Sequence, residues 1–168
     1  EPIDLLDEIE SVLSIHCATV TWPIGMGREL RGVYHLLQDR IFLYSAAGRQ
    51  RASAISAVDG LDSPAAAEVL GDELVRFRSE IELVRGACPV FDVNEYLAGH
   101  QTPVFFGSAI SNFGVQELLD AFVENAPPPG SRDSDQRKVS ADEEELTGFI
   151  FKIQANMDPA HRDRIAFM

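Results

Sequence analysis

The sequence predicts an α/β fold in which helices flank a parallel sheet and a small antiparallel section is added. Residues 102–106 (TPVFF) form a short apolar run, typical of a strand buried on both faces of a parallel sheet. Residues 2–14 and 115–125 carry apolar side chains at helical spacing. With 168 residues, 45% of them hydrophobic and 24% charged, the chain has a globular composition and can bury a sizeable core.

The first part of the chain predicts one helix and several strands. Pro2 stands at a first helical position, so the helix spans residues 2–14. The alternation of residues 17–24 predicts a strand, and residues 32–37 and 40–44 predict two more strands around a tight turn. Residues 55–58 are expected to add a third strand to this antiparallel section.

The next part predicts helices around the apolar strand. Asp62-Ser63-Pro64 starts a helix over residues 64–86, the longest in the chain, and Asp92 opens a short helix that Gly99 ends. The apolar strand over 102–107 leads through a loop into the helix over 115–125. We expect the buried face of that last helix to consist of Leu118, Leu119, Phe122 and Val123.

Composition changes after residue 126. Three prolines and a glycine over residues 127–130 end the preceding helix, and residues 131–145 are polar and charged, so residues 127–145 are predicted to form a linker. Residues 146–155 alternate again, a turn is expected over 156–159, and a further strand begins at Arg164. A lone hairpin is marginal in water, so we expect the 146–168 segment to begin a second domain.

Charge and cysteine content exclude several functions. The net charge is −13, from 14 basic and 27 acidic side chains, and it opposes binding of nucleic acid by most of the chain. Cys17 and Cys88 form no Cys-x-x-Cys pair, which favours buried free thiols over a disulfide framework or a zinc site. Neither a membrane span nor an export signal is visible, so the expected location is the cytoplasm, without a membrane partner.

Several groups of residues could bind a ligand or a metal, but their spacing favours a structural role. Gly25, Gly27 and Gly32 follow a strand, yet no Gly-Lys-Ser/Thr and no helix come after them, so we interpret them as a turn rather than a phosphate loop. The four histidines share no ligand spacing, and His35 on a strand is typical of a hydrogen-bonded structural residue. The acidic run over residues 142–145 is interpreted as a solvated face. We therefore assign no catalytic residue and no metal ligand.

The loop at residues 107–109 is the candidate ligand site. It follows the carboxyl end of the apolar strand, where ligands of open α/β sheets bind. Gly107, Ser108 and Ala109 are small, which would let backbone N–H groups approach a planar base and donate to its carbonyl oxygen, selecting guanine over adenine. Taken alone, Gly-Ser-Ala also fits an ordinary strand-to-helix connection.

Together with its surroundings, this loop resembles the fifth guanine-nucleotide motif of the translational GTPases, and nearly the whole chain resembles the bacterial class II peptide-chain release factors known as release factor three. The long block over residues 147–168 is particular to that family, whereas the Gly-Ser-Ala loop is shared with elongation factor G and other relatives. The resemblance rests on residues 21–25 (TWPIG), 32–36 (GVYHL), 103–107 (PVFFG), 112–115 (NFGV), 147–159 (TGFIFKIQANMDP) and 161–168 (HRDRIAFM).

The resemblance implies a partial P-loop GTPase-type sheet with flanking helices over residues 1–126, followed after the linker by the first strands of a β-barrel domain over 146–168. It implies that the parent protein uses GTP on the ribosome to dissociate class I release factors. Of the family's binding residues, only Ser108 and Ala109 carry over as base-contacting positions. The segment over 156–164 is similar to a barrel region that faces the small ribosomal subunit in relatives.

The resemblance also implies that the sequence begins just after the Asn-Lys-x-Asp motif and lacks the phosphate loop, both switch regions and the catalytic histidine. We therefore expect GTP or GDP with Mg²⁺ to bind the parent and not these residues alone, which would be inactive and prone to self-association. Two alternatives stay open. One is a non-enzymatic ribosome- or protein-binding module in which Arg162 and Arg164 touch RNA phosphates. The other is a different translational GTPase, such as an elongation factor G relative or a ribosomal protection protein.

Overall fold

The computed structural model describes residues 1–44, 54–155 and 164–168, which have a mixed α/β architecture, as the sequence predicts. The chain divides into two compact units, Glu1–Ala126 and Pro127–Met168. The helices are α1 (Pro2–Leu13), α2 (Pro64–Leu70), α3 (Leu74–Ala87), α4 (Val93–Leu97) and α5 (Val115–Asn125). The strands are β1 (His16–Thr19), β2 (Thr21–Ile24), β3 (Gly32–His35), β4 (Arg40–Tyr44), β5 (Ala54–Asp59), β6 (Gln101–Val104), β7 (Arg132–Asp133), β8 (Lys138–Val139), β9 (Lys152–Ala155) and β10 (Arg164–Phe167).

Unit Glu1–Ala126 contains two sheets. Strands β1 and β6 pair in parallel, with His16 opposite Gln101 and Thr19 opposite Val104. Strands β2, β3, β4 and β5 form an antiparallel meander in that order, which confirms the predicted antiparallel section. The parallel pair and the meander are therefore joined directly, through the chain between β1 and β2.

The single strand predicted over residues 17–24 is wrong, because the chain changes sheets at Val20. The Val20 amide donates to the Val104 carbonyl in the parallel sheet (2.9 Å), and the Val20 carbonyl accepts from the Leu36 amide at the end of β3 (2.9 Å). Val20 is thus bonded to both sheets. Alternation of side chains cannot reveal such a change, because both halves remain extended and buried.

The core of this unit lies between the strands and helices α1, α2 and α3. Its largest fully buried side chains come mostly from the meander and α3, with Cys17 from β1. One side of the core is closed by α1, whose Leu6 is buried. The buried cluster comprises Leu6, Cys17, Trp22, Ile24, Tyr34, Ile41, Leu61, Ala66, Leu70, Leu74, Phe77, Ile81 and Val84.

The continuous helix predicted over residues 64–86 is interrupted. Helix α2 starts as expected, with the Ser63 hydroxyl accepting from the Ala66 amide (3.1 Å), but it ends at Gly71, whose φ is +54°. A 3-10 turn, Gly71–Glu73, then leads into α3. Glycine has a low helix propensity and reaches this conformation without a steric penalty, so the chain can turn there.

The predicted buried face of α5 is also wrong. Its four apolar side chains are exposed by 46% (Leu118), 51% (Leu119), 62% (Phe122) and 82% (Val123). Helical spacing reports that an apolar face exists, but not that another element covers it. The apolar strand is likewise shorter than predicted: β6 ends at Val104, and its residues after Gln101 are half-buried rather than buried.

In the described part of unit Pro127–Met168, the strands form two small antiparallel pairs. Strands β7 and β8 pair within the predicted linker, so that segment is not without secondary structure. Strands β9 and β10 pair antiparallel, with Lys152 opposite Phe167, while Phe149, Phe151 and Ile153 are exposed. The turn predicted over 156–159 lies outside the described residues. Within the described ranges, no helix is long and apolar enough to cross a membrane.

Candidate functional site

The candidate loop is a closed turn that follows β6. Residues 109–112 form its tip, and Ser108 and Phe113 form its base as a pair of antiparallel residues. The Ser108 amide donates to the Phe113 carbonyl (2.8 Å), and the Phe113 amide donates back to the Ser108 carbonyl (3.0 Å). The two reciprocal bonds hold the tip at a defined place beside the start of α5.

The glycines that flank this turn allow its two arms to lie in backbone contact. A Cβ atom added at Gly114 would lie 2.5 Å from the Phe106 carbonyl oxygen, and one added at Gly107 would meet the Phe113 carbonyl. Gly114 also has a φ of +72° and is the residue before α5. These contacts explain why Gly107 and Gly114 bracket the turn, for any larger residue would push its arms apart.

The turn presents an unpaired backbone donor. The Ala109 carbonyl accepts from the Asn112 amide (3.3 Å) and the Ser108 hydroxyl accepts from the Ser111 amide (3.3 Å). Among the described residues, the Ala109 amide has no acceptor, and Ala109 itself is exposed. An exposed N–H group held in a closed turn can donate to a carbonyl oxygen of a bound molecule at little conformational cost.

The arm that leads into the turn is fixed from β2. The Phe106 amide donates to the hydroxyl of Thr21 (2.9 Å), and Thr21 is fully buried. The Phe106 ring packs edge-on against the Trp22 ring, with the ring centroids 5.3 Å apart. Sequence reasoning did not find Thr21, because the contact joins residues 85 positions apart. The Asn112-Phe113-Gly114 segment belongs to a stretch of similarity, but its role in closing the turn is visible only in the fold.

Two cavities that the described residues of this unit form are lined by neither Ser108 nor Ala109. The larger, about 330 Å³, lies between the first turns of α1, the segment after β2 and Gly107, and carries the carboxylates of Glu1, Asp4 and Glu8. Carboxylates repel phosphate groups, so this cavity does not suit a nucleotide's phosphates. The smaller, about 200 Å³, is lined mainly by apolar side chains and by His35 and Asn125.

The glycines considered as a phosphate loop lie in a structural turn. Gly25 packs against the Glu29 carbonyl, and the chain continues into a short 3-10 turn, Gly27–Glu29, and then into β3 rather than into an α-helix. A phosphate loop needs amide groups pointing outward at a helix N-terminus. The turn interpretation is therefore confirmed.

A polar network around the buried Tyr34 ties the β3–β4 turn to α3, with Asp39 and Arg85 exposed. The Tyr34 hydroxyl (2.7 Å) and the Leu61 amide (2.9 Å) both donate to Asp39, and these hydrogen bonds hold the pKa of that carboxyl below its usual value. Burial, with the Asp39 hydrogen bond, raises the pKa of Tyr34, which also accepts from Arg85 (2.8 Å). All the groups of this network are paired with one another, so it stabilises the fold rather than offering a reactive group.

The remaining candidates are dispersed. His35 is buried, and its Nδ1 accepts from the Gln38 amide (3.3 Å), as expected for a structural histidine. His100 is exposed beside Glu95, and within the acidic run Glu143 binds Arg137. Cys17 is a buried free thiol, whereas Cys88, at the end of α3, is half-buried rather than buried. In the ranges that the structure describes, no group of three or more His, Cys, Asp or Glu residues could hold a metal ion.

No protein-family model matches this sequence. Among solved structures, the chain is similar to the crystal structure of a protein from Thermus thermophilus, with 20% sequence identity and a TM-score of 0.42. The match covers 77% of this chain and 20% of that one, so the chain spans about a fifth of the length of that protein. A match at this level identifies neither a family nor a fold.

Proposed function

We propose that this chain forms part of the guanine-nucleotide-binding domain of a translational GTPase similar to bacterial release factor three. In this proposal, the turn over residues 108–113 contacts the guanine ring, and unit Glu1–Ala126 is the part of a P-loop GTPase domain that carries it. Unit Pro127–Met168 contributes the linker and the first strands of a β-barrel domain.

The observation that carries the proposal is the exposed Ala109 amide, which has no acceptor among the described residues, in a turn closed by Ser108 and Phe113. Guanine has a carbonyl oxygen at position 6, where adenine has an amino group, so a fixed N–H donor distinguishes the two bases. The turn also lies beyond the carboxyl end of β6, a strand of a parallel pair. The segments on either side of the turn are similar to the family's base-binding motif. This similarity also supports a base-binding role for the turn.

The phosphates and Mg²⁺ would be held by a different part of the parent protein. The 168 residues contain no Gly-x-x-x-x-Gly-Lys-Ser/Thr segment, and phosphoryl transfer needs a phosphate cradle, Mg²⁺ ligands and a positioned water. The chain thus supplies base recognition to the parent, whose reaction is GTP hydrolysis in the cytoplasm. Its proposed partners are the ribosome and the class I release factors.

The proposal is tested with the full-length protein on ribosomes that hold a labelled class I release factor after peptide release. We expect GTP to accelerate dissociation of the labelled factor and ATP to have no effect. Dissociation at the same rate without nucleotide would favour a ribosome-binding module. GTP hydrolysis on the ribosome without any effect on the class I factor would favour another translational GTPase.

A further inference from the structure

We propose that Tyr44, at the end of the antiparallel meander, is a positioning residue that holds the turn over residues 108–113 in the geometry that reads guanine. The inference rests on the proposed function, since it concerns how well this turn meets the base. It assigns to the meander a role in nucleotide selectivity rather than in stability alone.

The link runs through the ring of Phe113. Phe113 is 7% exposed, and its ring stacks on that of Tyr44 with centroids 4.8 Å apart and an angle of 14° between the ring planes. Phe113 makes both of the backbone bonds that close the turn with Ser108. The stack therefore fixes the side chain of the residue whose backbone closes the turn, and in this proposal it steadies the Ala109 amide in that way.

Tyr44 is a firm support because the sheet holds its backbone. It is the last residue of β4, which pairs with β3 on one side and β5 on the other, and its amide donates to the Arg31 carbonyl (2.8 Å). Val33 from β3, together with Leu30 and Phe42, packs around the two rings. The exposed tip of the turn has no comparable packing, so the stacked pair is its main side-chain anchor among the described residues.

The ring of Tyr44, and not its hydroxyl, provides this support. The Tyr44 hydroxyl is buried near the Gly114 backbone and the carboxylate of Glu117, in the first turn of α5, but neither the hydroxyl nor Oε2 of Glu117 forms a well-aligned hydrogen bond among the described residues. Burial, together with the nearby Glu117 carboxylate, raises the pKa of Tyr44. Tyr44→Phe keeps the stack and removes only the hydroxyl, which makes it a matched control for Tyr44→Leu.

The experiment measures affinity of the full-length protein for GDP and for the diphosphate of 2-aminopurine riboside, which lacks the oxygen at position 6. We expect Tyr44→Leu to weaken GDP about tenfold, the usual loss for one well-aligned hydrogen bond, and to weaken the analogue less. Tyr44→Phe should keep the affinity and selectivity of the unsubstituted protein. Leu70→Ala, a core change away from the turn, should lower thermal stability without changing selectivity.

Each outcome decides a separate point. A folded Tyr44→Leu protein with unchanged GDP affinity and selectivity would overturn the positioning role while leaving the proposed function intact. Failure of the unsubstituted protein to prefer GDP over the analogue would overturn the proposed function and this inference with it. If Tyr44→Leu does not fold, Phe113→Leu removes the same stack from the other side, and the same criteria apply to it.

Discussion

Ala109 is the residue on which base recognition depends, through its backbone rather than its side chain. Because the exposed turn works by close approach, Ala109→Trp in the full-length protein should obstruct the base and weaken GDP about tenfold or more, equivalent to roughly 1.4 kcal/mol. Competition with a fluorescent guanine nucleotide measures the change. The control is Ala98→Trp, at an exposed alanine that ends α4. Equal GDP affinities for the two variants would show that the loop is only a connection.

Burial of His35 makes the stability of the protein decrease as the pH falls. Burial lowers the pKa of His35 below its ordinary value of 6.5, so the unfolded chain takes up the proton more readily than the folded one. The stabilisation by neutral His35 is complete above pH 6.5 and declines as the pH falls below it. Urea denaturation at pH 8 and pH 5.5 should show a steeper loss for the natural sequence than for His35→Gln. The same loss in both proteins would contradict this assignment.

At the scale of elements, the apolar face of α5 is the largest departure from the expected packing. Leu119 and Phe122 are about half exposed or more on this face, and an exposed face of this kind favours association with a second copy of the isolated chain. The joint change Leu119→Gln and Phe122→Gln keeps the net charge and should shift the mass seen by light scattering towards 18.5 kDa. Leu83→Gln, on an exposed part of α3, is the control. A natural chain that is already monomeric at high concentration would exclude such association.

Local signals predicted the elements that depend on neighbours in sequence. Proline at the start of α1, the turn between β3 and β4 and the Ser63 cap of α2 all involve residues a few positions apart, and each appears in the structure. The errors concern contacts between distant residues. The change of sheet at Val20 depends on Val104 and Leu36, and no local pattern encodes which partner a strand edge or a helix face will meet.

The candidate site divides in the same way. Gly107, Ser108 and Ala109 were predictable because a small-residue loop after an apolar strand is a local pattern. Thr21 and Tyr44 were not, because each reaches the loop across a long stretch of chain, through a hydrogen bond to Phe106 in one case and a ring stack on Phe113 in the other. The sequence thus located the turn without revealing what supports it.

At the scale of the whole molecule, the isolated chain is expected to behave differently from its parent. The 168 residues carry a net charge of −13 and contain no phosphate-loop sequence, while most nucleotide affinity in such proteins comes from contacts with phosphates and Mg²⁺. We therefore expect the isolated chain to bind GDP negligibly at micromolar concentrations in calorimetric titration. Binding at micromolar or tighter affinity would show that the chain holds phosphates by residues that we have not identified.

The most direct test of the central claim is a zero-length photocrosslink from the guanine ring to the turn. In 6-thio-GDP a sulfur atom replaces the oxygen at position 6, the atom that the Ala109 amide is proposed to meet. After near-ultraviolet irradiation of the full-length protein with this nucleotide, peptide mass spectrometry locates the adduct. We predict an adduct within residues 107–113 that excess GDP abolishes and excess ADP does not. An adduct that GDP abolishes but that lies elsewhere in the protein would contradict the account.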